Sequence, residues 1–120
     1  MKHFHSFLIS GLFLFSNLAA QNVYQQTFDL NADDEFLSVV QTIDGGTLAG
    51  GYSTGVPYGG LVVKMNAQGT VQWSKTVGGT RISEVVESAS GMFYVAGENT
   101  VSSNTNFYLV KLNASGTVVW

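Results

Sequence analysis

The chain has no cysteine. That absence excludes a disulfide framework, a thiolate metal site, a cysteine nucleophile and a lipid-bearing cysteine behind an export signal. Histidine is nearly as scarce, since the two present are His3 and His5. Beyond them the chain has no imidazole to act as a general base near neutral pH. Proline occurs once, as Pro57, and only 11% of residues are charged. Positive charge is the scarcer sign: beyond residue 20 the cations are Lys64, Lys75, Arg81 and Lys111, against eight acidic residues. A chain so poor in cations has no basic stripe for nucleic acid or for an anionic membrane surface. What it has is apolar residues, at 45%, and 14 glycines.

The longest apolar stretch stands at the N-terminus. Lys2, His3 and His5 form a short basic head, Phe7 to Leu18 is dominated by Phe, Leu and Ile, and Ala19-Ala20 precede the polar Gln21. Head, apolar core and small-residue exit are the layout of a secretory signal peptide, and the core is short for a membrane span. Residues 1–20 are therefore expected to be removed on export, which places the remainder outside the cell or on its surface. Leu18 is bulkier than the residue such sites favour three positions before the cut.

The remainder repeats itself. Val63-Lys64-Met65-Asn66-Ala67-Gln68-Gly69-Thr70-Val71-Gln72-Trp73 returns 47 residues later as Val110-Lys111-Leu112-Asn113-Ala114-Ser115-Gly116-Thr117-Val118-Val119-Trp120. Ala49-Gly50 finds a match in Ala96-Gly97 at the same offset, whereas Phe36, Val39-Val40 and Gly45 match Ile82, Val85-Val86 and Gly91 at an offset of 46. The second copy thus carries one extra residue, expected near Met92 or Phe93, at a turn. Tyr24 to Phe28 reads as a weaker copy of Trp73 to Val77 and so as the last strand of a preceding unit. A period of this length marks units that each complete a core only by stacking on a neighbour.

Within the first copy four runs rich in Val, Leu, Thr and aromatics predict strands: Glu35 to Thr42, Thr47 to Ser53, Leu61 to Asn66 and Val71 to Val77. The gaps, such as Asp44-Gly45-Gly46 and Asn66-Ala67-Gln68-Gly69, supply residues that accept the positive φ of tight turns. Phe36-Leu37-Ser38-Val39-Val40 and Leu61-Val62-Val63 are apolar on both faces, which suits sheets stacked between sheets. Trp73 and Trp120 are expected to pack between units. Four antiparallel strands in a repeat of this length predict an all-β chain of β-propeller-like units. The expected organisation is a signal peptide at 1–20, an N-terminal strand and acidic loop at 21–34, repeat unit 1 at 35–79 and a truncated repeat unit 2 at 80–120. About two units make a partial propeller, expected to need further blades or self-association.

The blocks Val39 to Gly46, Ala49-Gly50-Gly51-Tyr52, Val63 to Gly69 and Trp73 to Gly79 resemble the propeller-type repeats of secreted and surface proteins from Bacteroidetes-like bacteria. More distantly they are similar to the tryptophan-docking repeats of quinoprotein-like propellers. The resemblance covers nearly all of residues 22–120 and implies fold more than activity. Members of that group often carry a C-terminal sorting domain, which this sequence does not show.

Several patterns suggest chemistry and have a plainer explanation beside it. Gly51-Tyr52-Ser53-Thr54-Gly55 matches a nucleophile elbow, but such a serine needs a histidine and a strand-to-helix turn, so Ser53 reads as a strand end. Asp29, Asn31 and Asp33 alternate like the start of a calcium loop, yet Asp34 stands where that loop needs glycine and Val40 where it needs glutamate. Asp44, Glu84, Glu87 and Glu98 could supply the two carboxylates of a glycosidase. Asp44 is also a common turn residue, and Glu84 and Glu87 fall on opposite faces of a strand. Lys64 and Lys111 recur in register, which points to a structural role with the stem on the sheet and the head in water. Asn113-Ala114-Ser115 fits a glycosylation sequon, but Asn66-Ala67-Gln68 occupies the same turn without one. No catalytic, cofactor or metal residue is therefore assigned. The expectation is a secreted repeat scaffold or binding module without catalysis of its own, taking an extracellular ligand and no nucleic acid. The alternative is the N-terminal part of an extracellular propeller enzyme acting on polysaccharide.

Overall fold

The computed structural model describes residues 27, 29 and 32–120. The expected signal peptide, nearly all of the strand at Tyr24 to Phe28, and Asn31 of the acidic loop lie outside the described residues. The rest is all-β: β1 (Asp34–Gln41), β2 (Thr47–Ser53), β3 (Gly59–Met65), β4 (Val71–Thr76), β5 (Arg81–Glu87), β6 (Phe93–Val101) and β7 (Asn104–Leu112). They form two antiparallel sheets, one in the order β1-β2-β3-β4 and one in the order β5-β6-β7. The four strands of the first sheet lie within two residues of the runs that predicted them.

Turn chemistry is reused at one end of both sheets. The β1–β2 turn closes with the Thr42 N–H donating to Gly46 O at 3.0 Å, and the β5–β6 turn with the Ser88 N–H donating to Met92 O at 2.8 Å. After β3, Asn66 Oδ1 accepts from the amides of Gln68 and Thr70 at 3.0 and 2.9 Å. After β7, Asn113 Oδ1 accepts from Ser115 and Thr117 at the same two distances. A side chain that bonds the backbone two residues on fixes such a turn without outside help. Beyond the second of these turns, Val118 pairs with Leu112 in an isolated bridge, the counterpart of the Val71–Met65 pair at the start of β4.

The register moves the extra residue away from where the sequence placed it. In β1–β2, Phe36 pairs with Gly51 just before a bulge at Leu37, and in β5–β6 Ile82 pairs with Gly97 just before the same bulge at Ser83. A Cβ on Gly51 would lie 1.7 Å from Glu35 O, and one on Gly97 would lie 2.0 Å from Arg81 O. Only glycine fits opposite these bulges. Gly51 is thus equivalent to Gly97, and the partner of Gly50 is Ala96, so the offset remains 46 through the turn at Met92. It becomes 47 only between β6 and β7. There, Thr100–Thr105 and Val101–Asn104 extend the ladder, and Ser102 and Ser103, with φ of 49° and 67°, make a two-residue hairpin turn of the primed kind. The first copy has one residue fewer at this place and forms an irregular loop from Thr54 to Tyr58 instead. An even number of loop residues lets paired strands continue to a two-residue turn, and an odd number does not.

The two sheets pack face to face, with β5 lying across β1, β2 and β3. Their shared core joins Leu48 and Val62 from the first sheet to Ile82, Val85, Phe93, Val95, Val110 and Leu112 from the second. Burying each side chain of this kind stabilises the fold by roughly 1.5–3 kcal/mol. Gly50 permits the close approach, since a Cβ there would meet Val85 Cγ1 at 2.5 Å and Ile82 Cγ2 at 2.8 Å. Trp73 closes one margin: its ring lies 6.0 Å from that of Phe93, and its indole N–H donates to Ala114 O at 3.1 Å. The expected placement between the sheets is observed for Trp73 but not for Trp120, which is exposed and meets the Tyr94 ring of its own sheet. β3 is buried on both faces, as its apolar run implied, but β1 is not, because Phe36 and Val39 are exposed.

Candidate functional site

Equivalent positions in the two sheets separate what the fold repeats from what it does not. The bulge glycines, the turn asparagines, the tryptophans and the lysines of β3 and β7 recur. The cross-strand pair Glu35–Tyr52 does not, since its counterpart is Arg81–Glu98. These four divergent residues converge where the starts of β1 and β5 meet the end of β2 and the middle of β6. Together with Tyr58 and Thr80 they line an open cleft of about 290 Å³ between the sheets.

The cleft is organised. The Tyr52 hydroxyl donates to Glu35 Oε2 at 2.7 Å, and this bond to a carboxylate raises the phenol above its ordinary value. The Arg81 guanidinium sits over the Tyr52 ring, 5.9 Å from its centroid, a cation–π geometry. Arg81 Nε is 3.9 Å from Glu98 Oε1, an ion pair too long for a hydrogen bond, and the Nε atom is buried with no hydrogen-bond partner. The floor is pinned by backbone bonds, with the Thr80 N–H donating to Glu98 O at 2.7 Å and the Thr100 N–H to Thr80 Oγ1 at 2.8 Å. Tyr58 stands at the mouth, 61% exposed. Two carboxylates and one guanidinium leave the cleft with one excess negative charge.

A second hollow, of about 530 Å³, lies at the opposite end beside Lys64 and Glu87. Here the sequence reading needs correction. Lys64 does not hold its head in water: the residue is 3% exposed, and its Nζ donates to both oxygens of Asp44 at 3.1 and 2.9 Å, to Met65 O at 2.8 Å and to Gln72 Oε1 at 3.1 Å. Asp44 also accepts from the Thr42 hydroxyl and the Gly46 amide. Those hydrogen bonds, the Thr42 bond foremost and Lys64 next, lower its pKa to about 2. Every polar group in this cluster answers another, which makes it a structural device. Lys111 lacks such partners, because Ser90 and Val119 occupy the positions of Asp44 and Gln72. Its Nζ lies over the Tyr94 ring at 5.5 Å instead.

Ser53 is buried at the end of β2, and its Oγ accepts from the Gly55 amide at 3.1 Å. Asp33 is tied to Thr54 by its backbone, and among the described residues no group of three His, Cys, Asp or Glu side chains is placed to hold a metal ion. Glu84 accepts from the Ser38 hydroxyl at 3.0 Å and Glu87 from the Ile43 amide at 2.7 Å, so both tie the second sheet to the first. Of the four carboxylates named from sequence, only Glu98 lines the cleft. Glu35, Tyr52, Tyr58, Thr80 and Arg81 escaped notice. Their signal was present as dissimilarity at equivalent positions, but reading it requires the offset of 46 that the register supplies.

No helix among the described residues is long and apolar enough to cross a membrane. No protein-family model matches the chain, and no curated protein matches it.

Proposed function

We propose that this chain is a secreted repeat scaffold of propeller type that acts as a non-catalytic binding module, presenting the rim cleft to an extracellular ligand. One observation carries the reading: at equivalent positions the pair Glu35–Tyr52 of the first sheet is replaced by Arg81–Glu98 in the second, so that four unlike polar groups from both sheets line one open cleft. A repeat free to vary there without loss of its fold has a surface on which a unique ligand can be read. The propeller assignment is supported by the meander of the first sheet, its face-to-face stacking on an equivalent sheet, and the resemblance of the repeated blocks. Export is supported by the basic head, apolar core and small-residue exit of residues 1–20.

The non-catalytic part rests on chemistry. Beyond residue 20 there is no histidine or cysteine, and both cleft carboxylates already have partners in Tyr52 and Arg81. The rival reading, hydrolysis of a polysaccharide, has in its favour that Glu35 and Glu98 line the same cleft. Incubating the purified full chain with a set of soluble polysaccharides and measuring reducing ends over time separates the two. The binding-module reading expects yields at the level of the buffer blank. Reducing ends that accumulate with the parent and disappear with Glu35→Gln or Glu98→Gln would replace it with the enzyme reading.

A further inference from the structure

Building on the binding-module reading, we infer that the cleft takes a neutral oligosaccharide, stacked on Tyr58 and hydrogen-bonded by Arg81, Glu98 and Glu35. Charge selects the class. The excess negative charge disfavours an anionic ligand, and the guanidinium beside the carboxylates partly offsets their pull on a cation, so an uncharged ligand that hydrogen-bonds to both signs fits the set. That ligand must still satisfy strong acceptors and a strong donor placed side by side. A ring with adjacent hydroxyls does this, donating to a carboxylate and accepting from a guanidinium, and charged groups of this kind make the stronger hydrogen bonds.

The aromatic residues supply the apolar half. One side of the Tyr52 ring is already engaged by Arg81, which fixes both groups. Tyr58 is the free ring, exposed at the mouth, and an amphipathic aromatic offers contact area at low entropic cost. Arg81 and Glu98 face each other only loosely, at 3.9 Å, and their side chains are 42% and 40% exposed, so the accessible part of the guanidinium can donate to a ligand hydroxyl that in turn donates to the Glu98 carboxylate. At about 290 Å³ the cleft is at the small end of ligand sites, sized for one or two sugar rings.

The test is a titration of the ¹⁵N-labelled full chain with neutral hexasaccharides of glucose, xylose, mannose and N-acetylglucosamine, followed by amide shifts. Saturable shifts at Tyr52, Tyr58, Thr80, Arg81 and Glu98 with at least one of these are expected. Tyr58→Ala, an exposed loop change that leaves the sheets intact, should then weaken binding about tenfold, and Tyr52→Phe should weaken it less. A uronic-acid hexasaccharide should bind more weakly than its neutral analogue. Absence of saturable shifts with all four probes, or shifts that Tyr58→Ala leaves unchanged, would overturn the saccharide assignment. Either result would leave the binding-module reading to be judged by the reducing-end assay, since a chain can bind another ligand class without hydrolysing anything.

Discussion

Replacing Asp44 by alanine removes two of the four contacts around the Lys64 ammonium and leaves a lysine that is 3% exposed with only Met65 O and Gln72 Oε1. Breaking a buried ion pair from one side typically costs about 3–5 kcal/mol. Here the Asp44 side chain is 54% exposed, so water can reach the vacated side, and the expected cost is nearer 2 kcal/mol. For a domain of this size that lowers the melting temperature by about 8–16 °C. Lys64→Met removes the same ion pair without stranding a charge and should cost about 1 kcal/mol or less. Lys111→Met, at the equivalent position without an acid, should cost less still. Thermal melts at pH 7 followed by circular dichroism rank the three variants. The same pair sets a pH dependence. Because the folded-state value of Asp44, about 2, lies below its ordinary 3.8, its stabilisation is complete above pH 3.8 and is lost as pH falls through 2. Discounted for exposure it amounts to about 1 kcal/mol, and Lys64→Met should remove part of that slope. An Asp44→Ala protein that melts as high as Lys64→Met would refute the argument that a desolvated ammonium depends on this carboxylate.

Gly51→Ala and Gly97→Ala should each prevent folding or cost more than about 3 kcal/mol, because their Cβ atoms would fall on backbone oxygens. Expression yield and urea midpoints of the two variants check this, and a folded Gly97→Ala would contradict the register equivalence. Gly50→Ala meets only side chains of the facing sheet and should cost about 1–3 kcal/mol. Adding Val85→Ala should recover part of that loss, and a strictly additive double variant would refute direct contact between the sheets at this point. Trp73→Ala should cost about 3–5 kcal/mol through the lost contact with Phe93 and the lost bond to Ala114. A variant melting with the parent would refute its placement.

The all-β class and the strand bounds of the first sheet were legible, since runs rich in Val, Leu, Thr and aromatics and the turn residues between them are local signals. The location of the extra residue was not. Ala49-Gly50 and Ala96-Gly97 look alike as letters, but a glycine opposite a bulge answers to the partner strand, and only the register shows that Gly51 and Gly97 share that task. The fate of Lys64 was hidden for a similar reason. Its recurrence as Lys111 suggested one shared role, whereas burial depends on Asp44 and Gln72, which the second copy lacks. The cleft was the least legible part. It joins residues from both copies, Glu35 and Tyr52 with Arg81 and Glu98, that are ordinary in sequence and meet only because the sheets stack.

That the cleft residues serve a ligand and not the fold is tested most directly by one comparison of melting temperatures, between parent, Trp73→Ala and the triple variant Tyr58→Ala, Arg81→Ala, Glu98→Gln. The rim groups contribute one cation–π contact and one partly exposed ion pair, together worth about 1 kcal/mol. The triple variant should therefore melt within about 8 °C of the parent, with Trp73→Ala far below both. A triple variant that falls as far as Trp73→Ala would show that the rim residues hold the sheets together, and the cleft would lose its claim to be a binding site.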